Sequence, residues 1–398
     1  MKSNTPLIIK YLQAKAVRKH LPLTGTFELS PCCNMDCRMC YVRKTRKEVE
    51  KSGGEISPQK WLEMGKTCRD AGMLFILLTG GEPFLYQGFR EVYTGLKKMG
   101  LLVSINSNGT MIDESVLEWL KEDPPTRINM TLYGGSNETY ERLCRNPNGF
   151  DQAIEAAKRI KNAGIDIHFN ASMTPYNKDD LEDIFRIGQE LGIRVRASSY
   201  MFPPMRKDES LIGCGDRITA EEAGAYTAKI DQLRLLPEEF LQRARAMRDN
   251  KLLFSENECD IEIEKGEKEP LRCQAGRSAF WINWKGEMSP CGMMTQPVTF
   301  PFKDGFKKAW DQLLIETEKL YMPPKCKKCK KKDICSVCGA SSFTETGVYG
   351  EVPEYICEMT DSLLRHTEEI LKEIEKKDKI DNKKGKDSGN REDLVNRG

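Results

Sequence analysis

Six short β-prone segments that alternate with amphipathic helices constrain the fold of this chain more than any other feature. They are rich in Val, Ile, Leu, Phe and Thr and are bounded by Gly, Pro, Asn or Ser, as strands usually are. They cover residues 24–30, 75–79, 101–106, 128–132, 166–172 and 193–200. Two of the intervening helices end at Gly164 and Gly192, and glycine often ends a helix. Strands that alternate with helices form parallel sheets, so the sequence predicts an α/β fold built as a partial, TIM-like (β/α)6 barrel.

The composition changes along the 398 residues and divides the chain into five regions. Eight of the fifteen cysteines lie from Cys259 to Cys357, which predicts a small second domain held by metal. After about Lys372 the chain is too rich in charged residues to bury an apolar core, which predicts disorder. The predicted regions are an N-terminal helix and lead-in at 1–23, the barrel core at 24–218, a helical linker at 219–258, the cysteine-rich domain at 259–360, and a C-terminal helix with a disordered charged tail at 361–398.

Charge and hydropathy narrow the functional classes. The 62 basic and 60 acidic residues leave a net charge of +2, which argues against a strongly basic nucleic-acid-binding protein. The longest apolar runs are too short to span a bilayer. The N-terminus lacks the compact apolar stretch and cleavage site of a signal peptide. We therefore expect a cytoplasmic protein with no nucleic-acid partner and no membrane span.

A cluster of cysteines follows the first predicted strand. Cys33, Cys37 and Cys40 have C-x3-C-x2-C spacing. Three thiolates on one loop can hold three irons of a [4Fe–4S] cube and leave the fourth iron open, since cysteine thiolates are the usual ligands of such clusters. The alternatives are a zinc site or buried thiols. Structural zinc usually has four protein ligands, and the nearest further cysteine is Cys32, directly beside Cys33, so the spacing favours the iron–sulfur cluster.

The second predicted strand ends in Gly80-Gly81-Glu82-Pro83. Two glycines let a ligand approach the backbone closely, and a carboxylate lies beside them, although the motif alone could be a turn. Together with C-x3-C-x2-C, the chain resembles radical S-adenosylmethionine (SAM) enzymes. The resemblance implies a partial (β/α)6 barrel in which SAM binds the open iron. It also implies that one electron cleaves SAM into methionine and a 5′-deoxyadenosyl radical, which abstracts hydrogen from a substrate.

The resemblance assigns cofactor roles to matching positions. Cys33, Cys37 and Cys40 would bind the SAM cluster. SAM itself would be held by Gly80, Gly81 and Glu82 with Pro83 at its ammonium group, by Asn106 at the turn after the third strand, by Thr131 at the ribose and by Arg145 at the carboxylate. Arg145 could instead be a surface arginine. The family position that packs on adenine is often aromatic, and here it is Met39, with Tyr41 as the other candidate.

A second set of cysteines lies near the C-terminus. Taken alone, the spacing of Cys326, Cys329, Cys335 and Cys338 (x2, x5, x2) suits a structural zinc site with four cysteine ligands. Cys273 and Cys291 lie upstream, with Gly286 between them, and Cys357 lies downstream. With the radical SAM motifs in front, the whole pattern resembles the SPASM domain, a C-terminal module with two auxiliary [4Fe–4S] clusters.

The SPASM resemblance implies three [4Fe–4S] clusters in all. Its outer auxiliary cluster would be bound by Cys326, Cys329, Cys335 and Cys357, and its inner one by Cys273, Cys291 and Cys338, with Cys259 as a candidate eighth ligand. Without Cys259 the inner cluster would keep an open iron that could bind substrate. The remaining cysteines, Cys32, Cys68, Cys144 and Cys214, are expected to be small apolar packing residues.

SPASM-type enzymes mostly modify peptides or proteins. The members that mature sulfatases carry an aspartate directly after the cysteine that matches Cys291. In this chain that position is Gly292, which argues against the sulfatase-maturing subgroup. The resemblance thus implies hydrogen abstraction from a peptide in ribosomal peptide maturation, by crosslinking or epimerisation. About two dozen residues precede the first strand, too few for a leader-binding domain, so we expect a separate leader-binding protein or a substrate that needs none. An anaerobic, oxygen-sensitive enzyme is expected, and no catalytic base is assigned.

Two other functions stay open. One is a radical SAM enzyme of tetrapyrrole or small-cofactor biosynthesis. The other is a non-catalytic Fe–S or zinc-binding scaffold, which the intact cysteine and glycine motifs argue against.

Lysines crowd the second cysteine set at positions 325, 327, 328, 330, 331 and 332. They either solvate this surface or steer an acidic electron donor, flavodoxin or ferredoxin.

The last two predicted strands carry candidate pocket residues. Alternation along a strand places side chains two apart on one face. The group expected to face inward is Asn170, Ser172, Arg196, Ser198 and Tyr200, and His168 shares its parity. His168 is read either as a pocket residue or as a buried structural histidine.

Overall fold

The structure, a computed structural model, describes residues 6–249 and 269–395. Its sheet consists of β1 Thr24–Glu28, β2 Phe75–Thr79, β3 Leu102–Ser107, β4 Arg127–Thr131, β5 Ile167–Ser172, β6 Arg194–Ser198, β7 Ala279–Ile282 and β8 Met288–Ser289. The strand order is β6-β5-β4-β3-β2-β1-β7-β8, with β7 and β8 antiparallel and every other pair parallel. The six predicted strands are all present, and their ends differ from the prediction by at most two residues.

Helices connect the strands of the sheet and cover one of its faces. They are α1 Leu7–Arg18, α2 Arg46–Lys51, α3 Pro58–Asp70, α4 Phe89–Lys98, α5 Glu114–Glu122, α6 Asn137–Cys144, α7 Gly149–Asn162, α8 Leu181–Leu191, α9 Ala220–Arg234, α10 Pro237–Arg248, α11 Pro301–Asp304, α12 Phe306–Glu318, α13 Pro324–Lys327, α14 Gly339–Thr346 and α15 Glu354–Val395. Local sequence sets their ends. The Ser57 hydroxyl accepts a hydrogen bond from the Lys60 N–H at the start of α3, and Gly192 ends α8 with a φ of 59°.

The two faces of the sheet differ in polarity. In β5, Ile167, Phe169 and Ala171 are buried in the same apolar cluster as residues of α7 and α8. The alternate residues His168 and Asn170 lie on the opposite, inner face and are half-buried. Because side chains alternate along a strand, a polar inner face follows from the same sequence pattern that builds the core. This inner face therefore carries the groups that can meet a ligand.

A strand from the cysteine-rich region belongs to the central sheet. β7 pairs in parallel with β1, so that Trp281 lies beside Thr26. The sequence analysis missed β7, because a four-residue strand without its own flanking helix gives little periodic signal. The core sheet and the C-terminal cysteine region are thus joined by backbone hydrogen bonds.

The C-terminal helix is longer than predicted. We expected disorder after about Lys372, whereas α15 continues to Val395. Lysine and glutamate, which are most frequent in the first half of this segment, are strong helix formers. The first part of α15 packs on α9 so closely that a Cβ on Gly224 would lie 2.4 Å from the Met359 carbonyl oxygen. The predicted linker at 219–258 contains α9 and α10, and its last residues lie outside the described ranges.

The predicted N-terminal helix is present as α1. Its last turn is buried at Ala16 and Val17, while Leu7 and Ile8 in its first turn are exposed. In the part of the chain that the structure describes, none of the helices has both the length and the apolar character needed to cross a membrane.

Candidate active site

The cysteine loop between β1 and α2 is anchored on the end of α6. The backbone N–H groups of Asp36 and Arg38 donate hydrogen bonds to the carbonyl oxygens of Cys144 and Leu143, at 3.0 and 3.1 Å. These carbonyls belong to the last turn of α6, where helical carbonyl groups lack partners within the helix. The loop thereby satisfies the end of α6 and is itself held in place.

The three predicted cluster ligands lie together on this loop. Cys33 interacts electrostatically with both Cys37 and Cys40. Backbone N–H groups point at two of the sulfurs, with Met35 N 3.4 Å from Cys33 Sγ and Arg43 N 3.3 Å from Cys40 Sγ. Such donors stabilise a thiolate. The sequence-predicted group of three thiols is therefore brought to one place.

The three thiols differ in their acidity. Burial raises the pKa of Cys33 to about 12 and also raises that of Cys40. Hydrogen bonds from Cys144 and Tyr133 hold the pKa of Cys37 below its ordinary value, against the effect of burial. Cys144, expected to be a packing residue, is fully buried and contacts a cluster-ligand candidate. Cys32 and Cys68 are buried as expected, whereas Cys214 is exposed, because it lies in a surface loop, so its predicted packing role is wrong.

The donor set fits an iron–sulfur cluster. Three thiols of one loop interact with one another, and thiolates are the ligands that such clusters use. Within residues 6–249 and 269–377, no three His, Cys, Asp or Glu side chains converge on the position of one metal ion. Each cysteine of a cube binds a separate iron, so thiols that surround a shared space suit a cluster.

Glu82 joins the cysteine loop to the ends of β2 and β3. Its side chain is fully buried and accepts hydrogen bonds from Ser107 Oγ at 2.9 Å and from Asn108 N at 2.8 Å. Its own backbone N–H donates to the Cys32 carbonyl oxygen at 2.8 Å. Burial raises the pKa of Glu82 to about 7, although the hydrogen bonds oppose this shift. A carboxylate held here by two donors at the end of β3 can orient the neighbouring loops and present its remaining lone pairs to a cation.

The two glycines before Glu82 are required for close packing within the protein. We expected them to leave room for a ligand. A Cβ on Gly80 would lie 2.3 Å from the Ser30 carbonyl oxygen, and one on Gly81 would lie 2.4 Å from the Cys32 carbonyl oxygen. These positions are glycine because the turn after β2 packs directly on the backbone of the cysteine loop.

The other predicted SAM-binding residues surround this centre. Pro83 is buried at the start of a short 3₁₀ helix, Pro83–Leu85. Asn106 and Thr131 lie half-buried on the inner face, and Asn129 Nδ2 donates to Asn106 Oδ1 at 3.0 Å. Arg145 follows α6 in a left-handed conformation with a φ of 56°, and its exposed guanidinium lies 3.0 Å from Asp36 in the cysteine loop.

The two candidates for the adenine contact, Met39 and Tyr41, pack against different parts of the protein. Met39 is half-buried and packs against the main apolar core. Tyr41 packs against Cys32, Val42, Val49 and Trp284, and the guanidinium of Arg206 lies 5.3 Å from the centre of its ring. Tyr41 thus faces the C-terminal region.

Asn108 is a site residue that the sequence analysis did not single out. Its amide Nδ2 lies 3.8 Å from Cys33 Sγ and 2.9 Å from Asn34 Oδ1. Its backbone N–H is the donor to Glu82. The Asn-Ser-Asn-Gly sequence after β3 contained this residue, but sequence alone could not tell which asparagine faces the sulfur.

The C-terminal cysteines form two separate groups. Four of them line one small cavity, namely Cys326, Cys329, Cys335 and Cys357. The other three described cysteines interact electrostatically with one another, namely Cys273, Cys291 and Cys338. This division differs from the four-cysteine zinc set that the x2, x5, x2 spacing suggested, because Cys338 leaves that set and Cys357 replaces it. Cys259 lies outside the described residues.

Lysines surround the first of these groups. Lys331 and Lys332 line the same cavity as the four cysteines. The Lys331 ammonium lies 2.6 Å from Asp361, whose hydrogen bond raises the pKa of that lysine. This surface therefore places positive charge directly over thiol groups.

Comparison with known proteins identifies the core. Residues 27–187 match the model of the radical SAM superfamily. The AdoMet-dependent heme synthase of Oleidesulfovibrio alaskensis is 23% identical over 81% of this chain and 83% of its own length. The sporulation killing factor maturation protein SkfB of Bacillus subtilis is 23% identical over 72% of this chain and 64% of its own length.

Solved structures share the fold over most of the chain. The structure of anSMEcpe with bound AdoMet and Kp18Cys peptide aligns with a TM-score of 0.65 and 17% identity, and covers 89% of this chain and 99% of that one. Streptococcus suis SuiB bound to precursor peptide SuiA aligns with a TM-score of 0.60 and 18% identity, over 86% and 80% of the two chains. At these identities the likeness shows the fold, which extends through the C-terminal cysteine region.

Proposed function

Because residues 27–187 form a radical SAM domain, which implies a [4Fe–4S] cluster and SAM, we propose that this enzyme abstracts a hydrogen atom from a peptide substrate. The proposal rests above all on one observation: three thiols of a single loop lie together, beside a buried carboxylate that ties this loop to the ends of β2 and β3. The reaction would form a crosslink or an epimerised residue.

The chain would hold its cofactors through the residues described above. Cys33, Cys37 and Cys40 would bind the cluster, which when bound supplies the electron that cleaves SAM so that a carbon radical can take hydrogen from the substrate. Glu82 would orient the ammonium group of SAM through its remaining lone pairs. Asn108 would donate a hydrogen bond to the sulfur of Cys33, and hydrogen bonds to sulfur tune the potential of a cluster.

Two further clusters are part of the proposal. Cys326, Cys329, Cys335 and Cys357 would hold the outer one, and Cys273, Cys291 and Cys338 the inner one, with Cys259 as a candidate fourth ligand. The separation of the described cysteines into these two groups supports this division. The predicted regions of the chain, 24–218 for the core and 259–360 for the SPASM domain, remain our proposed boundaries.

A peptide substrate is supported by the relatives. SkfB is named as a maturation protein of a sporulation killing factor, and SuiB is seen bound to a precursor peptide. A separate leader-binding protein and a flavodoxin or ferredoxin donor remain proposed partners. The lysines over the outer cysteine group support an acidic donor, since complementary charge speeds encounter.

A second candidate is a radical SAM enzyme of tetrapyrrole biosynthesis. The alignment with the heme synthase relative covers 81% of this chain, whereas the alignment with SkfB covers 72% of it. The substrate of that reaction is not a peptide, so the two candidates differ in which molecule loses hydrogen.

Formation of 5′-deoxyadenosine tests the proposal. Anaerobically reconstituted protein is incubated with SAM and dithionite, with and without candidate peptides, beside a Cys33→Ala/Cys37→Ala/Cys40→Ala variant. Cys214→Ala is the matched control, because this cysteine is exposed and belongs to neither cysteine group. We expect product from the wild type and the control alone. No product from fully iron-loaded wild type with any peptide or tetrapyrrole would overturn the proposal.

A further inference from the structure

The inner face of the sheet carries an excess of positive charge at its β6 edge. Arg194 pairs across the ladder with His168, and Arg196 pairs with Asn170. Arg127, on β4, lies beside Asp166 in the neighbouring strand connection, with 2.7 Å between Arg127 Nε and Asp166 Oδ2. Three arginines and a histidine thus lie near the carboxylate of Asp166, which is paired with Arg127.

The arginines repel one another. Burial lowers the pKa of Arg196, and the charges of Arg127 and Arg194 lower it further, while Asp166 opposes the shift. Among the described residues, no carboxylate lies within ion-pair distance of Arg194 or Arg196, whereas Arg127 has Asp166. Like charges held together without a counter-ion destabilise the fold, so such a group is suited to receive an anion.

His168 gives an independent sign of a missing partner. Its Nδ1 atom is buried and has no hydrogen-bond partner in the described part of the chain. Its Nε2 atom lies 3.8 Å from Asp166. A buried polar atom without a partner costs free energy unless a ligand or water satisfies it.

The position of these groups connects them to the proposed SAM site. Arg196 lies beside Asn170, and Asn170 lies beside Thr131, the proposed ribose contact. Strands lie about 4.8 Å apart, so Arg196 is about 10 Å across the face from Thr131. A substrate that reaches from β6 to the SAM site would pass over the arginines.

We propose that Arg194, Arg196 and His168 bind carboxylate groups of the substrate at the β6 edge of the inner face. The assignment rests on the proposed function and narrows it to a substrate with at least two carboxylates. Arginine binds carboxylates through two parallel hydrogen bonds, so each arginine takes one acid group. Such groups are present both in an acidic peptide and in a carboxylated tetrapyrrole.

Binding of matched acid and amide probes tests this site. The probes are a tetracarboxylate porphyrin with its tetraamide, and a glutamate-rich octapeptide with its glutamine counterpart. The dissociation constant of each is measured by fluorescence or calorimetry on anaerobic, reconstituted protein. We expect the wild type to bind the acid form of one pair at least about ten-fold more tightly than its amide, since hydrogen bonds between charged groups are of that strength.

The variant Arg194→Gln/Arg196→Gln should lose the preference for the acid, and Arg194→Lys/Arg196→Lys should keep part of it. Arg186→Gln is the matched control, because Arg186 is exposed on α8 and already pairs with Asp183 and Glu190. A misfolded variant would also lose binding of the amide probe, so the amide serves as a control for folding. The pair that shows the preference identifies the peptide or the tetrapyrrole as the source of the carboxylates.

Equal binding of acid and amide by the wild type, for both pairs, would overturn the site. So would a full acid preference in the glutamine variant. Neither result affects 5′-deoxyadenosine formation by the wild type, which is measured separately. If the wild type forms no 5′-deoxyadenosine, the proposed function fails, and the probes still decide whether the anion site exists.

Discussion

Nη2 of Arg206 lies 2.8 Å from Oε1 of Glu28, so that an ion pair joins the loop after β6 to the C-terminal end of β1. The Glu28 side chain is buried, at 1% exposure, and that of Arg206 is mostly covered, at 13% exposure. Trp281 Nε1 donates to the same carboxylate at 3.1 Å, and Arg206 Nη1 donates to the Gly292 carbonyl oxygen at 3.2 Å. One ion pair thus connects the core sheet, β7 and the residue after Cys291.

Arg206→Ala should lower the apparent free energy of unfolding by about 3–5 kcal/mol, because it leaves the carboxylate of Glu28 buried without its cation. The double variant Arg206→Ala/Glu28→Gln should recover part of this loss, since the uncompensated charge is gone. Guanidinium unfolding of the reconstituted proteins measures both. Equal losses in the single and double variants would show that the uncompensated charge of Glu28 is not the source of the loss.

Gly81→Ala should reduce the iron content, since the new Cβ would lie 2.4 Å from the Cys32 carbonyl oxygen and displace the cysteine loop. Overpacking of this kind costs about 1–3 kcal/mol. Gly164→Ala is the control: its φ is +74° but nothing lies within 4 Å of the new Cβ, so it should lower stability and leave iron unchanged. Iron and sulfide analysis measures the difference. Full iron and sulfide content in both variants would contradict the packing explanation.

Substitutions in the two C-terminal cysteine groups should lower the iron content independently of each other. Cys357→Ala or Cys326→Ala should each remove about a third of the iron, since each breaks the same one of the three proposed clusters. The double variant Cys326→Ala/Cys357→Ala should lose no more than either one, whereas Cys273→Ala/Cys357→Ala should lose about twice as much. Iron analysis with electron paramagnetic resonance measures this. A four-cysteine zinc site would instead show zinc and no such pattern.

Cys144→Ala should keep all the iron, although it removes a hydrogen bond to Cys37. The midpoint potential of the SAM cluster should fall, because a donor to its sulfur is lost. A potentiometric titration followed by electron paramagnetic resonance measures the change, with Cys68→Ala, a buried cysteine away from the loop, as control. Loss of a whole cluster in Cys144→Ala would instead make this cysteine a ligand.

His168 should make stability depend on pH. Burial and the charge of Arg127 lower the pKa of His168 below its ordinary value of about 6.5, with Arg194 and Arg196 adding to the shift and Asp166 opposing it. Just below pH 6.5 the unfolded chain binds the proton more readily than the folded one, so the free energy of unfolding falls as the pH falls. In His168→Gln this fall should be smaller. Urea unfolding between about pH 7 and pH 5 compares the slopes, and identical slopes would contradict the prediction.

The strands and the first cysteine site could be predicted because they depend on local patterns. Segments rich in β-prone residues and bounded by Gly, Pro, Asn or Ser predicted the six strands. The match to the radical SAM superfamily confirms the domain that the cysteine and glycine motifs indicated. The inward parity of His168 and Asn170 also agrees with the structure, since Phe169 between them packs against the helices.

Other features depend on contacts between distant residues and gave no local signal. Cys335 and Cys338 are three residues apart but join different groups, because Cys338 caps the start of α14 and faces Cys291. The short β7 is recognisable only beside β1. The close approach of Gly81 to Cys32 likewise requires the folded loop. The roles of the individual site residues remain predictions.

The pairing of β1 with β7 determines when the sheet can be completed during synthesis. Glu28 and Trp281 form a hydrogen bond across 253 residues of sequence. A ribosome takes roughly 10–50 s to make that length, and during this interval one edge of β1 has no partner. An unpaired edge is a template for pairing with other chains, so this edge of β1 is open to such pairing until β7 has been made. The last third of the translated chain closes a sheet that its first residues began.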